Sequence, residues 1–346
     1  MQILSLRKKD KFIQCELIDT NSAQIVALND NSIKYIKNDI FPMYKKIIIN
    51  EGNERKKYIK ILGEELGDVI KNIMDKFDID LGTKSGLALY LDDSTAELPW
   101  EISIIKKRPR TYFCEIKNIG RMRVYKHDGW IDVDRKHRRH KALIVGIDDD
   151  GQNEKLDFPE NESKEISRIL KDNNFSVKLL LGKNATNEKI LNELRKGVDI
   201  FHFTGHGNMY RVDSTISTYQ NEIKASNLED MDYYPPRISF INACMSSVER
   251  IYKTSNWDPY TWATAFVGNG SEVFIGSLWP IEDETSSHFS INFYKKLFEK
   301  RIFTLGEAIT KARESIKSKN DPYYTWLAYI LYGNPEINIK SILAFT

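Results

Sequence analysis

Cysteine is scarce in this chain: Cys15, Cys114 and Cys244 are the only three among 346 residues. An odd, widely spaced set forms neither a disulfide framework nor a CxxC metal knuckle. Charge of one sign is also missing. The 51 Lys+Arg residues against 49 Asp+Glu leave a net charge of +2, without the basic excess typical of a nucleic-acid module. No stretch approaches the roughly 18 consecutive apolar residues of a spanning helix. At the N-terminus, Met1 to Asp10 puts its charges after a short apolar patch, the reverse of a secretory signal. These absences lead us to expect a cytoplasmic protein with no membrane or nucleic-acid partner. The glycines give no dinucleotide fingerprint either. Gly268-Asn269-Gly270 lacks the third glycine and the following helix, so no cofactor is expected.

What is present is a globular mixture, 41% hydrophobic and 29% charged, long enough for two domains or one large one. Early apolar runs at Phe12–Leu17 and Ala23–Leu28 read as short strands. Tyr58, Ile61, Leu62, Leu66, Val69, Ile70, Ile73 and Met74 recur at helical spacing. Gly86–Leu91 reads as a strand. Residues 135–141, Arg-Lys-His-Arg-Arg-His-Lys, read as a solvated linker, which divides the chain into 1–135 and 136–346.

Beyond the linker the pattern changes. Strands are expected at Ala142–Ile147, Phe175–Leu181, Val198–Phe203, Ile238–Ala243 and Val273–Leu278. Helices are expected around 160–173, over Thr186–Leu194 with Thr186 as cap, and over Tyr260–Phe266, Glu284–Phe298 and Leu305–Ile316. Strands alternating with helices of this length predict an α/β fold, a mostly parallel sheet flanked by helices.

Two of these strands end in reactive residue types: His202-Phe203-Thr204-Gly205-His206-Gly207 and Asn242-Ala243-Cys244-Met245-Ser246-Ser247. Sites in parallel sheets form beyond the carboxyl ends of strands. If the two strands are neighbours, an imidazole at His206 favours the Cys244 thiolate and later protonates a leaving amine. The N–H groups of Gly207 and Cys244 could hold an oxyanion. The pattern alone leaves open a small buried core cysteine. His202 reads as a core histidine. His202 and His206 stand four apart, but the intervening glycines break any helix and no HExxH motif follows, so no metal is expected.

The two strand-end motifs resemble those of CHAT-domain peptidases, relatives of caspases and separase among the caspase-like cysteine peptidases. Other segments agree in order: Leu98-Pro99-Trp100-Glu101, Gly276-Ser277-Leu278-Trp279-Pro280-Ile281-Glu282-Asp283, Ala308 to Arg313, and Leu331-Tyr332-Gly333-Asn334-Pro335. The resemblance runs from about residue 60 to 340. It implies a caspase-like fold, with a pseudo-protease half before the active half. It assigns Cys244 as nucleophile, His206 as general base and acid, and Gly207 and Cys244 as oxyanion donors. It places Asp283 and Ser277 at the substrate. A carboxylate at Asp283 would favour Arg or Lys before the cut, the alternative being an aspartate that caps the following helix. The basic linker would then offer Arg138-Arg139 for self-cleavage, against the simpler view of an uncut loop.

The implied function is a regulated bacterial effector of anti-phage immunity. It would cleave a companion protein such as a gasdermin, and a separate activator protein is a candidate switch. A monomer is expected. A caspase-like scaffold with an idle dyad is the competing class, and thiol-dependent chemistry on a small molecule a third.

Overall fold

The computed structural model describes residues 2–9, 12–18, 23–28, 41–82, 84–122, 140–210, 213–228, 231–247, 261–299, 301, 303–317 and 321–343. Most of the proposed linker, including Arg138 and Arg139, lies outside the described residues.

The N-terminal region contributes β1 (Gln2–Lys9), β2 (Phe12–Ile18), β3 (Ala23–Leu28), helices α1 (Phe41–Ile49) and α2 (Gly52–Phe77), then β4 (Gly86–Leu91). A small hairpin, β5 (Ile104–Lys107) and β6 (Arg110–Tyr112), and a short helix α3 (Phe113–Ile116) lead into β7 (Asn118–Met122). The second region starts at β8 (Lys141–Gly146). It continues through α4 (Pro159–Asp172), β9 (Ser176–Leu181), α5 (Asn187–Arg195) and β10 (Ile200–Thr204). A three-stranded flap follows, β11 (Gly207–Tyr210), β12 (Asp213–Thr218) and β13 (Asn221–Lys224), then β14 (Ile238–Asn242), α6 (Trp262–Val267) and β15 (Val273–Ser277). The chain ends with α7 (Asp283–Leu297), α8 (Leu305–Ile316), α9 (Thr325–Ala328), β16 (Tyr329–Tyr332) and α10 (Ile339–Leu343).

Eleven strands form one sheet in the order β3-β2-β1-β4-β7-β16-β15-β14-β10-β8-β9. Pairing is parallel from β1 to β16 and again from β15 to β9. The two parallel runs meet at the antiparallel β15–β16 pair. The sheet therefore continues across residue 135: β16, from the end of the chain, is flanked by β15 and by β7, where Tyr332 aligns with Arg121.

The expected apolar strands are the inner ones. Strands β10, β14, β15 and β16 are buried along their whole length, as helices on both faces require. Helix α4 turns Ile166, Ile169 and Leu170 inward, and α7 packs against α4 and α8. Helix α8 begins with a capping box, Thr304 Oγ1 accepting from the Glu307 amide at 3.1 Å and Glu307 accepting from the Thr304 amide at 3.0 Å. Helix α5 differs from expectation. Thr186 occupies its N-cap position, but its side chain makes no capping hydrogen bond.

One sequence motif turns out to brace the sheet rather than line a site. In Leu98-Pro99-Trp100-Glu101, the indole of Trp100 donates to the Thr95 carbonyl at 2.8 Å. Glu101, fully buried, receives the Arg121 guanidinium at 2.8 and 2.6 Å. Arg121 also donates to the carbonyls of Ala96 and Leu98, both at 2.9 Å. This bidentate ion pair with its remaining donors satisfied is the arrangement a buried charge needs. It ties the 96–101 turn to β7.

Candidate functional site at the ends of two neighbouring strands

Strands β10 and β14 are adjacent and parallel, with Thr204 opposite Asn242. His206 and Cys244 each follow two residues later, so both chains leave the sheet on one rim. The contact between them is close. A Cβ on Gly207 would stand 2.7 Å from Ala243 Cβ and 3.2 Å from the Cys244 carbonyl oxygen. Any side chain there would push the two segments apart. Gly205, at φ 154°, adopts a backbone conformation that side chains disfavour.

The imidazole of His206 is held from outside. Its Nε2 lies 2.6 Å from the carbonyl oxygen of Glu154, in the loop between β8 and α4. A carbonyl only accepts, so Nε2 carries a proton and Nδ1 is the ring atom that can take one. That loop is anchored by Asp283, whose Oδ2 accepts from the amides of Asp157 at 2.8 Å and Phe158 at 3.2 Å.

Cys244 is partly exposed, whereas Cys15 and Cys114 are buried. Burial pushes the Cys244 thiol above its ordinary pKa. The Ile281 amide, hydrogen bonded to the sulfur, and the nearby Arg55 cation act in the opposite direction, while Asp283 adds to the rise. The residue after the cysteine, Met245, is held at φ 54°, an uncommon conformation for a non-glycine residue. Several hydrogen bonds fix this turn. Ser246 Oγ donates to the Ile241 carbonyl at 2.9 Å and accepts from the Ser277 amide at 2.9 Å. The Ser247 amide donates to the Ser277 carbonyl at 2.8 Å.

Ser277 was expected at the substrate, but it is fully buried and its hydroxyl donates to the Ala243 carbonyl at 2.8 Å. It holds the cysteine-bearing turn against β15 and has no surface to offer a ligand. The capping alternative for Asp283 also changes. Glu282 is the cap of α7, accepting from the amides of Glu284 at 3.1 Å and Thr285 at 2.7 Å. Asp283 is the first residue of the helix, half-buried at the rim, and desolvation pushes its carboxyl upward despite the two amides that favour its charge.

Two contributors carry no motif that we read in the sequence. The first is Glu162 on α4, fully buried beneath the rim. It lies 2.9 Å from His202 Nε2, accepts from Thr204 Oγ1 at 3.1 Å and takes both hydrogens' worth of contact from Asn242 Nδ2, at 3.0 Å to each oxygen. Tyr329 completes the network, its hydroxyl donating to Asn242 Oδ1 at 2.6 Å. One carboxylate thus fastens the strand residues two positions before His206 and two before Cys244. His202 is a core residue, as expected. The second is Arg55 on α2, whose cation is buried behind the loop that faces the sulfur. Among the described residues, no three His, Cys, Asp or Glu side chains form a metal-binding group. No helix among them is long and apolar enough to cross a membrane.

The geometry brings a histidine with a proton-accepting nitrogen and a partly exposed cysteine to one sheet rim, next to backbone amides and a carboxylate. Such a set can form a thiolate beside an acid–base group.

Comparison with solved structures places the fold. A yeast (Saccharomyces cerevisiae) separase–securin complex matches with a TM-score of 0.58 and 12% identity, covering 96% of this chain and 30% of that one. The Arg specific cysteine proteinase gingipain R matches with a TM-score of 0.57 and 14% identity, covering 88% of this chain and 76% of that one. The Porphyromonas gingivalis RgpB complex of pro- and mature domains gives 0.54 and 14%, covering 88% and 78%. At these identities the likeness is one of fold, the caspase-like α/β sheet, and this chain spans less than a third of the separase chain it matches. No curated protein sequence matches the chain. The model of the CHAT domain family matches residues 61–334, most of the chain. That span contains both strand-end motifs and the strands on either side of them, and the chain belongs to the CHAT domain family.

Proposed function

We propose that this protein is a cysteine endopeptidase that cleaves a protein substrate with His206 and Cys244. The observation that carries this reading is the shared rim: β10 and β14 run in register, and the Glu154 carbonyl orients His206 with Nδ1 available as base. Nδ1 takes the thiol proton while the sulfur attacks the scissile carbonyl carbon. The oxyanion that forms is held by the N–H groups of Gly207 and Cys244, each donor lowering the barrier by about 3 kcal/mol. The imidazolium returns its proton to the leaving amine as the C–N bond breaks. A water deprotonated by His206 then hydrolyses the thioester, and the thiol is regenerated.

Asp283 is proposed to select a basic residue before the cut. Its carboxylate sits half-buried beside the cysteine, and a structural neighbour, gingipain R, is described as Arg specific. With one oxygen occupied by two amides, the carboxylate retains capacity for a charged hydrogen bond. The biological role proposed is that of a regulated bacterial immunity effector, a cytoplasmic monomer acting on a companion protein under a separate activator. That role rests on the family resemblance alone. The division into 1–135 as a pseudo-protease half and 136–346 as the active half is part of the same proposal.

A mixed peptide library tests the assignment with wild type, Cys244→Ala and Asp283→Ala. Cleavage after Arg or Lys is expected from wild type, none from Cys244→Ala, and a broadened or lost basic preference from Asp283→Ala. Equal cleavage by wild type and Cys244→Ala would refute the dyad. An unchanged profile for Asp283→Ala would remove its pocket role. A cysteine-reactive peptide probe separates an idle scaffold from a latent enzyme, since it labels Cys244 only where the thiol is reactive.

A further inference from the structure

The loop Leu278–Glu282, between β15 and α7, faces Cys244 and is held from two sides. On one side, Leu278 N–H donates to the Ala328 carbonyl at 2.9 Å, Trp279 Nε1 to the Tyr323 carbonyl at 3.0 Å, and the Glu282 amide to Thr325 Oγ1 at 3.2 Å. On the other side stand α1 and α2, from the opposite end of the sequence. Tyr44 donates its hydroxyl to the Leu278 carbonyl at 3.1 Å. Arg55 donates through Nη1 to the carbonyls of Pro280 and Tyr323, both at 3.0 Å, and through Nε to the Ile47 carbonyl at 2.9 Å. Its Nη2 reaches the Ile48 carbonyl at 3.4 Å. Arg55 has no exposed surface. Every hydrogen bond that Arg55 donates ends on a backbone carbonyl, and none on a carboxylate.

The arrangement of one peptide unit gives this cation a direction. The Pro280 carbonyl accepts from Arg55, and the N–H of the same unit, on Ile281, hydrogen bonds to the Cys244 sulfur. A donor on the carbonyl oxygen polarises the whole amide and strengthens its N–H as a donor. A guanidinium buried in a low-dielectric interior also acts on a nearby anion with little screening. A guanidinium keeps its charge when buried, and burying one is costly; the carboxylates of Glu51 and Asp321 favour that charge without hydrogen bonding to it. The Cys244 sulfur, once ionised, joins those anions in favouring the buried cation.

We infer that Arg55 is a positioning residue for the nucleophile. It stabilises the Cys244 thiolate through the Pro280–Ile281 peptide and holds the loop that presents that amide. The element carrying it, α1–α2, therefore controls the reactivity of a cysteine almost 190 positions away. This inference rests on the assignment of Cys244 as nucleophile, but its test does not need a substrate.

The test is the rate of iodoacetamide alkylation at Cys244, read by mass spectrometry of the Cys244 peptide between pH 6 and 11. Wild type is compared with Arg55→Gln, Arg55→Lys and Tyr44→Phe, each checked by far-ultraviolet circular dichroism. Arg55→Gln removes the charge and leaves two N–H donors where the guanidinium made four hydrogen bonds, a loosening that Tyr44→Phe controls for. Its alkylation profile is expected to move to higher pH, with a rate at pH 7 about tenfold below wild type, a one-unit rise being a tenfold loss of thiolate. Arg55→Lys, which keeps the charge, should recover most of that rate. Tyr44→Phe, which loosens the same loop without altering charge, should leave the midpoint in place. A folded Arg55→Gln protein with the wild-type profile would overturn the inference, as would an equal shift in Tyr44→Phe. Should Arg55→Gln fail to fold, Arg55→Lys decides: a profile displaced as far as a tenfold rate loss, although the charge is kept, would overturn the electrostatic role, and a near-wild-type profile supports it. Absence of peptide cleavage by wild type, alongside these shifts, would count against the peptidase assignment and not against Arg55.

Discussion

Replacing Glu162 should be costly in proportion to the number of groups it satisfies. Its two oxygens serve His202, Thr204 and Asn242, all buried, at 2.9 to 3.1 Å. Glu162→Ala leaves three buried polar groups without their acceptor and opens a space the size of the lost carboxyl. Leaving several buried donors without their acceptor is expected to cost about 3–5 kcal/mol in all, each one alone costing about 1–3 kcal/mol. We take that range rather than the sum of three separate penalties, because His202 can turn its ring and water can enter the vacated space. Domains of 150–250 residues lose at least about 2 °C per kcal/mol, and applying that lower figure here gives a melting temperature about 6–10 °C below wild type. Glu162→Gln keeps the volume and one carbonyl oxygen but turns an amide NH2 toward donors. Its expected loss is about half as large, on the order of 2 kcal/mol. Differential scanning calorimetry at pH 7 measures both. The network also holds the strand residues two before His206 and two before Cys244, so Glu162→Ala should slow Cys244 labelling by the peptide probe at temperatures well below its transition. A Glu162→Ala protein that melts within about 2 °C of wild type would refute the reasoning. It would mean that the carboxylate contributes no more than the desolvation it suffers.

Two further outcomes are expected. Gly207→Ala places a methyl group 2.7 Å from Ala243 Cβ, which forces the His206 and Cys244 segments apart. Overpacking of this kind costs about 1–3 kcal/mol, and cleavage of a library substrate should fall far more than the melting temperature does; retained cleavage would place the rim contact outside the chemistry. The second outcome concerns alkaline pH. Burial pushes Cys15 up to about 12 and Cys114 up to about 11, from 9.0. The folded state then holds protons that the unfolded chain has released, so stability is present below pH 9 and is lost as pH rises above it. Each such group costs about 1.4 kcal/mol per pH unit between 9 and its folded value. Thermal melts from pH 8 to 11 should fall steadily, and Cys15→Ala should flatten that fall; melts insensitive to pH across this window would contradict the burial of both thiols.

Much of the framework is written along the chain. Runs such as Ile238–Asn242 and Val273–Ser277 are apolar without alternation because both their faces are covered, and that pattern is local. Helix α2 and helix α4 show their buried stripes at three- and four-residue spacing for the same reason. His206 and Cys244 were legible because each follows an apolar strand directly, where a parallel sheet ends. Strand β1, the flap β11–β13 and the short β16 were not. Strand β16 has only four residues, Tyr-Ile-Leu-Tyr, after a one-turn helix, and its position depends on partners at β7 and β15, far away in sequence.

Tertiary structure alone decided which of those segments meet. Periodicity tells which face of an element is buried, and says nothing of what it is buried against. Glu162 looks like any other acid on an amphipathic helix until β10 and β14 lie side by side beneath it. Arg55 looks like one cation in a charged stretch until the loop after β15 and the segment before α9 each bring a carbonyl to it across more than 220 residues. Ser277 falls within a segment that looks functional, and only the packing of β15 on β14 turns its hydroxyl to the Ala243 carbonyl and away from solvent. Residue types and spacing determined the reactive groups and the sheet that carries them. The charges that tune those groups come from elsewhere in the chain, because electrostatic contact depends on distance in space.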